Sequence, residues 1–295
     1  MSRSTLRFFA FWLFGGLLAA QQKVLVISAD SANLVLSAGG LLAGMARAGA
    51  DVWWVRVTND EKDSWKLAPE ETALRSRRES EAAAKLLGFR QVIHLGYRAG
   101  ELAETPFTTL RDRLVIFIRH YRPNVLFIPN PYTEYDRVLD RFYTGRAAED
   151  AWRAAAIENF VPPFTHLGLA PHRAGEIYYY AQPLDPQRRQ AESTSTFVPQ
   201  PKVVDITPML ETKIRAAQAL TTSNEAMAQA LKARLETTGR RLPLLDTLAP
   251  ASIQKLVEEN VRGLAKLCAQ GTSYSAAEEF HYAGVEFRIP RKYRE

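Results

Sequence analysis

The sequence contains very little cysteine, because Cys268 is the only one among 295 residues. A single thiol excludes an internal disulfide framework, so a protein exported to an oxidising compartment would depend on its hydrophobic core for stability. The sequence also lacks a repeat period and a low-complexity tract, which excludes solenoid and fibrous architectures. Hydrophobic residues make up 46% and charged residues 24% of the chain, as is typical of a folded globular protein.

Clustered positive charge is also scarce. The formal net charge is +6, but lysine and arginine are scattered among acidic residues, and the dense basic clusters are short. This distribution excludes a nucleic-acid-binding footprint, so no nucleic-acid partner is expected. A G-x-G-x-x-G motif is missing as well. Gly39 and Gly40 in the first predicted helix therefore indicate close packing of that helix on the sheet in preference to phosphate binding.

The first 20 residues have the layout of a secretory signal peptide. Arg3 and Arg7 precede the apolar run of residues 8–20, which ends in small residues. We predict cleavage near Ala20, which removes two arginines and lowers the formal net charge from +6 to +4. The alternative, an uncleaved membrane anchor, stays open, although the run is shorter than the roughly 20 residues needed to span a bilayer. We expect an exported protein, periplasmic or secreted, with no stable membrane span after cleavage.

The rest of the chain alternates short apolar runs with amphipathic segments. This alternation predicts an α/β fold, with a Rossmann-like, mostly parallel sheet covered by helices on both faces in a three-layer sandwich. Strands are predicted at 24–28, 51–58, 92–96 and 125–129, and helices at 34–48, 71–88 and 106–120.

The C-terminal half has a weaker pattern. Strands are predicted within 175–182 and 201–207, and helices over 207–221, 223–238 and 250–269. No linker rich in Pro, Gly or Ser separates this half from the first. We therefore predict one domain over residues 21–295, with a C-terminal strand and helix extension.

Ligands of parallel sheets bind at the carboxyl ends of the strands. In this chain the segments that follow the first four predicted strands are 29–33, 59–64, 97–101 and 130–141. We therefore expect any functional site to be built from these four segments.

Several segments, in a fixed order along the chain, resemble the PIG-L/LmbE family. They are 24–40, 57–62, 77–97, 118–131, 145–151 and 171–180. Members of this family are Rossmann-like, zinc-dependent deacetylases that act on N-acetylglucosamine-type sugars and related amides. The resemblance implies the same fold and a site at the carboxyl edge of the sheet.

The family's catalytic motifs are substituted in this chain. The motif A-H-P-D-D-E corresponds to residues 29–34, so the resemblance implies that Asp30 replaces a ligand histidine, Ala32 the general base, and Asn33 a ligand aspartate. The motif H-P-D-H corresponds to residues 138–141, where Arg141 replaces the third ligand and the inner aspartate is kept as Asp140.

These substitutions argue against zinc hydrolysis. Catalytic zinc needs three protein ligands and an open position for water. Asn33 offers a weak neutral oxygen, and Arg141 carries a permanent positive charge that repels a cation. Ala32 has no group that could take a proton from water. We therefore expect no zinc cofactor.

Two other sets of residues in the sequence could in principle hold a metal ion. A relocated zinc site is disfavoured because the five histidines, at 94, 120, 166, 172 and 281, fall outside the four segments at the strand ends. A hard cation is a second possibility, since acidic residues at the strand ends could bind it through oxygen. The acids concerned are Asp30, Asp60, Glu61, Glu134, Asp136 and Asp140. The alternative is that they are solvated loop acids.

Asp30 and Arg141 replace two groups that share one metal, so we predict that they form an ion pair, with Asn33 or Asp140 satisfying the remaining donors. The alternative is an Arg141 side chain turned to solvent. The candidate pocket comprises Asp30, Asn33, Asp60, Arg78, Tyr97, Asp136, Asp140 and Arg141. Arg78 matches the family's substrate-side arginine, but a solvated helix face is the other interpretation. Tyrosines that crowd the predicted rim could stack on a sugar, namely Tyr97, Tyr132, Tyr135 and Tyr143.

Two hypotheses for function follow. The first is a catalytically inactive deacetylase relative that keeps a pocket for a sugar or glycan, or that supports an active homologous enzyme as its partner. The second is a working N-acetyl-sugar deacetylase or amidase, a carbon–nitrogen hydrolase with an unusual metal site or a metal-free mechanism.

Overall fold

The protein is described by a computed structural model that covers residues 21–133, 138–183 and 201–283. Its sheet has seven strands in the order β3-β2-β1-β4-β5-β7-β6. The first five pair in parallel, whereas β7 runs antiparallel to both β5 and β6. The strands are β1 Lys23–Ser28, β2 Asp51–Thr58, β3 Gln91–Tyr97, β4 Val125–Pro129, β5 Glu176–Tyr180, β6 Lys202–Asp205 and β7 Ala277–Ala283.

The α-helices of the described part alternate with the parallel strands and then follow in the C-terminal half. They are α1 Ser31–Arg47, α2 Pro69–Leu87, α3 Phe107–Tyr121, α4 Leu139–Ala155, α5 Pro162–His166, α6 Leu210–Gln218, α7 Thr221–Thr237 and α8 Pro250–Ala269. Gly88 ends α2 in the left-handed conformation, as expected for a glycine just after a helix.

Two buried clusters, one on each face of the sheet, form the core. Alternate residues of β1 serve both, since Val24 and Val26 belong to one cluster and Leu25 and Ile27 to the other. The first cluster is covered by α1, α2 and C-terminal helices, and the second by α3 and α4. This is the three-layer α/β arrangement predicted from the sequence, and it explains why the central strands are continuously apolar.

Most of the predicted elements are present, with end points that differ by a few residues. The main correction concerns segment 130–141, because α4 begins at Leu139 and so places Asp140 and Arg141 in the first turn of a helix. Val138 caps this helix without a side-chain hydrogen bond, so no start signal was available in the sequence. Helix α4 itself, the short helix α5 and strand β7 were not predicted.

Gly40 lets α1 approach the sheet closely, as predicted. A Cβ atom at this position would lie 2.8 Å from the Ile206 side chain, whereas a Cβ atom at Gly39 would meet its nearest neighbours at an ordinary 3.6 Å. The Gly40 and Leu41 amides each donate to the Glu278 carboxylate of β7, at 2.8 Å. A phosphate at this position would have to displace a carboxylate that is already bonded there.

Within the described ranges, no helix is both long and apolar enough to cross a membrane. The predicted signal segment, residues 1–20, lies outside these ranges.

Candidate functional site

An ion pair joins the turn after β1 to the first turn of α4. Arg141 Nε lies 2.7 Å from Asp30 Oδ2, and its Nη2 lies 3.4 Å from Asp30 Oδ1. The side chains of Arg141 and Asp30 are 16% and 18% exposed, so the pair is partly open to solvent. The predicted ion pair between these residues is therefore confirmed.

Asp30 is also the N-cap of α1. Its Oδ1 accepts a hydrogen bond of 2.7 Å from the Asn33 amide, the usual role of an aspartate at this position. Burial alone would raise the pKa of Asp30. The charge and hydrogen bonds of Arg141, together with the Asn33 amide, outweigh burial and hold this pKa below its ordinary value. Asp30 is thus an ionised carboxylate with both oxygens engaged.

We predicted that Asn33 or Asp140 would accept from the remaining donors of Arg141, but in the structure each bonds to a different group. Asn33 Oδ1 accepts from the Ser37 hydroxyl at 3.1 Å, inside α1. Asp140 turns to the loop after β3, where it accepts from the Gly100 amide at 2.5 Å and from the Leu102 amide at 3.3 Å. Asp140 therefore ties α4 to that loop.

A second ion pair is buried beside the first. Arg56 at the end of β2 lies 3.3 Å from Asp60, and both side chains are almost fully buried. Asp60 also accepts from three hydroxyl groups, those of Ser31, Thr58 and Ser76. Burial raises the pKa of Asp60, and Arg56 opposes the shift. Asp60 was predicted from its place after a strand but Arg56 was not, although an arginine within an apolar strand is itself a signal that a buried acid must lie nearby.

Asp63 is a third carboxyl group at this edge. Burial is the main cause that raises its pKa, to about 8, and the neighbouring charges of Asp60 and Asp30 raise it further. This edge of the sheet thus holds two guanidinium groups, of Arg56 and Arg141, and three carboxyl groups, of Asp30, Asp60 and Asp63. One bound proton makes this set of five groups electrically neutral, and Asp63 holds that proton near neutral pH.

The other candidate residues are spread around the site. Tyr97 is partly buried, with the Arg113 guanidinium 5.5 Å from its ring centre. Arg78 is exposed on α2, as the solvated-face interpretation predicts. Asp136 lies outside the described residues, as do Glu134 and Tyr135, and Glu61 pairs with Arg98 at 2.8 Å.

One histidine reaches the carboxyl edge by a route that the sequence did not suggest. His281 of β7 lies beside the end of β4, with its Nδ1 2.6 Å from Asn130 Nδ2. Asn130 Oδ1 accepts from the Tyr132 amide, so the Asn130 amide donates to His281 Nδ1. The segment containing His281 was not predicted to be a strand, and for this reason its histidine was not placed.

The residues at the family's ligand positions do not fit zinc. The oxygens of Asp30 are taken by Arg141 and by the helix N-terminus, and Asn33 uses its oxygen on Ser37. A guanidinium stands where the motif has its third ligand. In the described part of the chain, no three His, Cys, Asp or Glu side chains are grouped so that they could hold a metal ion.

Comparisons with known proteins agree on fold and family. The family model described as "PIG-L: GlcNAc-PI de-N-acetylase" matches residues 25–152. The chain is 26% identical over 200 residues to diacetylchitobiose deacetylase of Thermococcus kodakarensis, covering 67% of this chain and 68% of that protein.

Solved structures share the architecture. The N,N'-diacetylchitobiose deacetylase from Pyrococcus horikoshii superposes with a TM-score of 0.70 and 22% identity, over 93% of this chain and 88% of that one. The 4-carboxy-2-hydroxymuconate hydratase from Pseudomonas putida gives a TM-score of 0.62 and 18% identity, over 92% and 98% of the two chains. Proteins with this fold are thus named for deacetylation and for hydration, so the fold alone does not fix the reaction.

Proposed function

Because this chain belongs to the PIG-L/LmbE family, we propose that it is a non-catalytic relative of these deacetylases that binds an N-acetylated sugar or glycan at the carboxyl edge of its sheet. The observation that carries the proposal is the Asp30–Arg141 ion pair, at 2.7 Å. In this pair Asp30, the one carboxylate left at the ligand positions, is bonded to the permanently charged guanidinium of Arg141.

The chemistry of the turn supports a binding role. Hydrolysis of an amide needs a group that takes a proton from the attacking water. Ala32, at the position of the family's general base, has only a methyl group. Of the carboxylates at this edge, Asp30 is paired with Arg141 and Asp60 with Arg56.

The charge balance favours an uncharged ligand. With one proton on Asp63, the two guanidinium and three carboxyl groups cancel, yet they still offer hydrogen-bond donors and acceptors. A neutral N-acetylated sugar matches such a site, because its hydroxyl and amide groups need partners but no countercharge. The relative that is 26% identical carries diacetylchitobiose in its name, so this disaccharide is the first ligand to test.

Metal content and turnover test the proposal directly. We expect purified protein incubated with zinc and then dialysed to hold much less than one ion per chain. It should release no acetate from diacetylchitobiose and should bind the sugar in a saturable calorimetric titration. Stoichiometric metal, together with acetate release that a chelator abolishes, would overturn the proposal.

Variants locate the binding site. Arg141→Ala breaks the ion pair at the proposed site, so we expect it to weaken sugar binding at least fivefold. Arg75→Ala removes an arginine of equal charge from the exposed face of α2 and should leave binding within twofold of the unmodified protein. Equal binding by both variants would place the ligand elsewhere.

A metal-free amidase is the second candidate, and Asp63 is the observation that favours it. A carboxyl group with a pKa of about 8 can donate a proton near neutral pH. Acetate release that persists in chelator and disappears in Asp63→Asn would establish this activity and refute the non-catalytic proposal.

Support of a partner enzyme stays a prediction. It would be seen as faster turnover of a diacetylchitobiose deacetylase when this protein is added, with serum albumin at the same concentration as the control.

We further propose that the chain is exported and loses residues 1–20. The support is the basic start and the apolar run that follows it. N-terminal sequencing of the protein from a secreting host should begin at Gln21, whereas retention of Met1 in a membrane fraction would indicate the uncleaved anchor.

A further inference from the structure

Tyr132 lies in the segment after β4, at the same edge of the sheet as the Asp30–Arg141 pair. Its hydroxyl group donates to Glu149 of α4 at 2.6 Å, and Arg146 Nη1 donates to the same hydroxyl at 3.1 Å. Its backbone amide donates to Asn130 Oδ1 at 2.9 Å. The residue is thus fixed at both its backbone and the tip of its side chain.

The partners of Tyr132 are themselves held in place. Glu149 is buried and also pairs with Arg146 and Arg153. The Tyr179 ring of β5 lies edge-on to the Tyr132 ring, with 6.1 Å between ring centres. Burial raises the pKa of Tyr132, and Glu149 adds to the shift, so its hydroxyl stays protonated and keeps donating at neutral pH.

Tyr132 has the opposite orientation to an ordinary surface tyrosine. A surface tyrosine buries the ring and turns the hydroxyl to water. In Tyr132 the hydroxyl is turned inward to a buried carboxylate, yet the residue is 60% exposed. The Arg146 guanidinium lies over one face of the ring, 5.9 Å from its centre. A ligand would therefore cover the opposite face of a ring that is held rigid by contacts at its polar end. A rigid exposed ring loses little conformational entropy when a ligand covers it.

Helix α4 links this ring to the proposed sugar site. The helix carries Arg141 in its first turn and Glu149 eight residues later, so the two are about 12 Å apart along the axis at 1.5 Å per residue. This separation exceeds the width of one sugar ring. Because Glu149 holds the tip of Tyr132, we expect a ligand that contacts both the ion pair and the tyrosine to need at least two rings.

We propose that Tyr132 is a stacking platform for the second pyranose ring of an N-acetylated oligosaccharide whose first ring lies at the Asp30–Arg141 pair. The inference rests on the proposed sugar-binding function and adds a residue and a minimum ligand length to it. A pyranose ring suits the platform because its axial C–H groups form an apolar face that can cover an aromatic ring, while its hydroxyl groups point sideways to water.

Calorimetric titrations with N-acetylglucosamine and with diacetylchitobiose test the inference. We expect the unmodified protein to prefer the disaccharide and Tyr132→Ala to lose three- to tenfold in affinity for it, the range of an aromatic contact. The affinity for the monosaccharide should change less than twofold. Tyr132→Phe keeps the ring and should stay within threefold of the unmodified protein.

Tyr274→Ala is the matched control, because this exposed tyrosine lies in the loop before β7 and carries no role in the inference. It should not change either affinity. A second measurement does not depend on the alanine variant folding: the ring signals of Tyr132 in an NMR spectrum, assigned with Tyr132→Phe, should shift when diacetylchitobiose is added.

The outcomes separate the two proposals. Equal disaccharide binding by Tyr132→Ala and the unmodified protein would overturn the platform and leave the sugar-binding function intact, and so would unshifted Tyr132 signals at saturating ligand. Failure of the unmodified protein to bind either sugar would overturn the proposed function and the platform with it.

Discussion

Helix α1 is held by two ion pairs that differ in burial. At its N-terminus the Asp30 cap pairs with Arg141, and both side chains remain partly exposed. At its middle the Gly40 and Leu41 amides donate to Glu278, whose second partner is Lys213 at 2.8 Å. The side chains of Lys213 and Glu278 are each only 2% exposed.

This difference separates a contact that maintains the fold from one that a ligand can reach. A charge sealed from water must keep its partner, because desolvation leaves it no substitute. A charge at the edge of the sheet can exchange its partner for water or for a ligand. The Lys213–Glu278 pair therefore belongs to the scaffold, and the Asp30–Arg141 pair to the proposed site.

Breaking the buried pair should have the largest effect on stability. Lys213→Ala leaves the Glu278 carboxylate buried without a countercharge, so we expect the free energy of unfolding to fall by about 3–5 kcal/mol. Urea denaturation measures it. The control is Lys66→Ala, which breaks an exposed pair with Glu225 and should cost less than about 1 kcal/mol. A loss below 1 kcal/mol in Lys213→Ala would remove the distinction between the two regions.

Substitution of Gly40, whose amide donates to Glu278, should have the second largest effect on stability. Gly40→Ala would place a methyl group 2.8 Å from Ile206, and we expect a cost of about 1–3 kcal/mol from overpacking. Gly44→Ala in the same helix meets only Met209, at 3.6 Å. It should be neutral, or stabilise by up to about 1 kcal/mol because alanine favours helix. Thermal unfolding of both variants measures the contrast, and equal melting temperatures would contradict it.

The scaffold could be predicted from the sequence better than the site could. Apolar runs of five to eight residues between amphipathic helices define parallel strands, because burial on both faces imposes that pattern. The Asp30–Arg141 pair was also predictable, since the family motifs place both residues at one point. The buried partners were not, because Arg56–Asp60 and Lys213–Glu278 join residues whose contact depends on how helices pack on the sheet.

Strand β7 is a second example of a feature that could not be predicted from the sequence. Its residues reach both regions, with Glu278 under α1 and His281 beside Asn130. The alternation in this segment is short and contains two adjacent glutamates, Glu278 and Glu279. Only the packed structure reveals that the first of these acids is buried against helix amides.

Ionisation of Asp63 should have a smaller effect on the free energy of unfolding, and this effect depends on pH. The pKa of Asp63 is about 8 in the folded protein and about 3.9 in an unfolded chain. The stability that its neutral form provides is complete below pH 4 and is lost as pH rises to 8. Asp63→Asn cannot ionise, so its stability relative to the unmodified protein should grow by about 1–2 kcal/mol between pH 7 and pH 8.5.

Urea denaturation at the two pH values measures this difference. Asp246→Asn is the control, because Arg241 lowers the pKa of this exposed carboxyl and it stays ionised at both pH values. A constant difference between Asp63→Asn and the unmodified protein would mean that Asp63 is already ionised at pH 7, and the neutral charge balance of the site would then fail.

The Asp30–Arg141 pair should contribute least to stability. A double-mutant cycle of Asp30→Ala and Arg141→Ala removes the capping contribution of Asp30, which the single variant would otherwise add to its loss. We expect a coupling of about 1 kcal/mol at pH 7, near the value for exposed pairs. Because the pKa of Asp30 is lowered in the folded protein, the coupling should be present above pH 4 and vanish in acid as the carboxylate is protonated. A coupling of 3 kcal/mol or more would make this pair a structural lock like Lys213–Glu278. It would then be too costly to open for a ligand, and the contrast between the two regions of α1 would disappear.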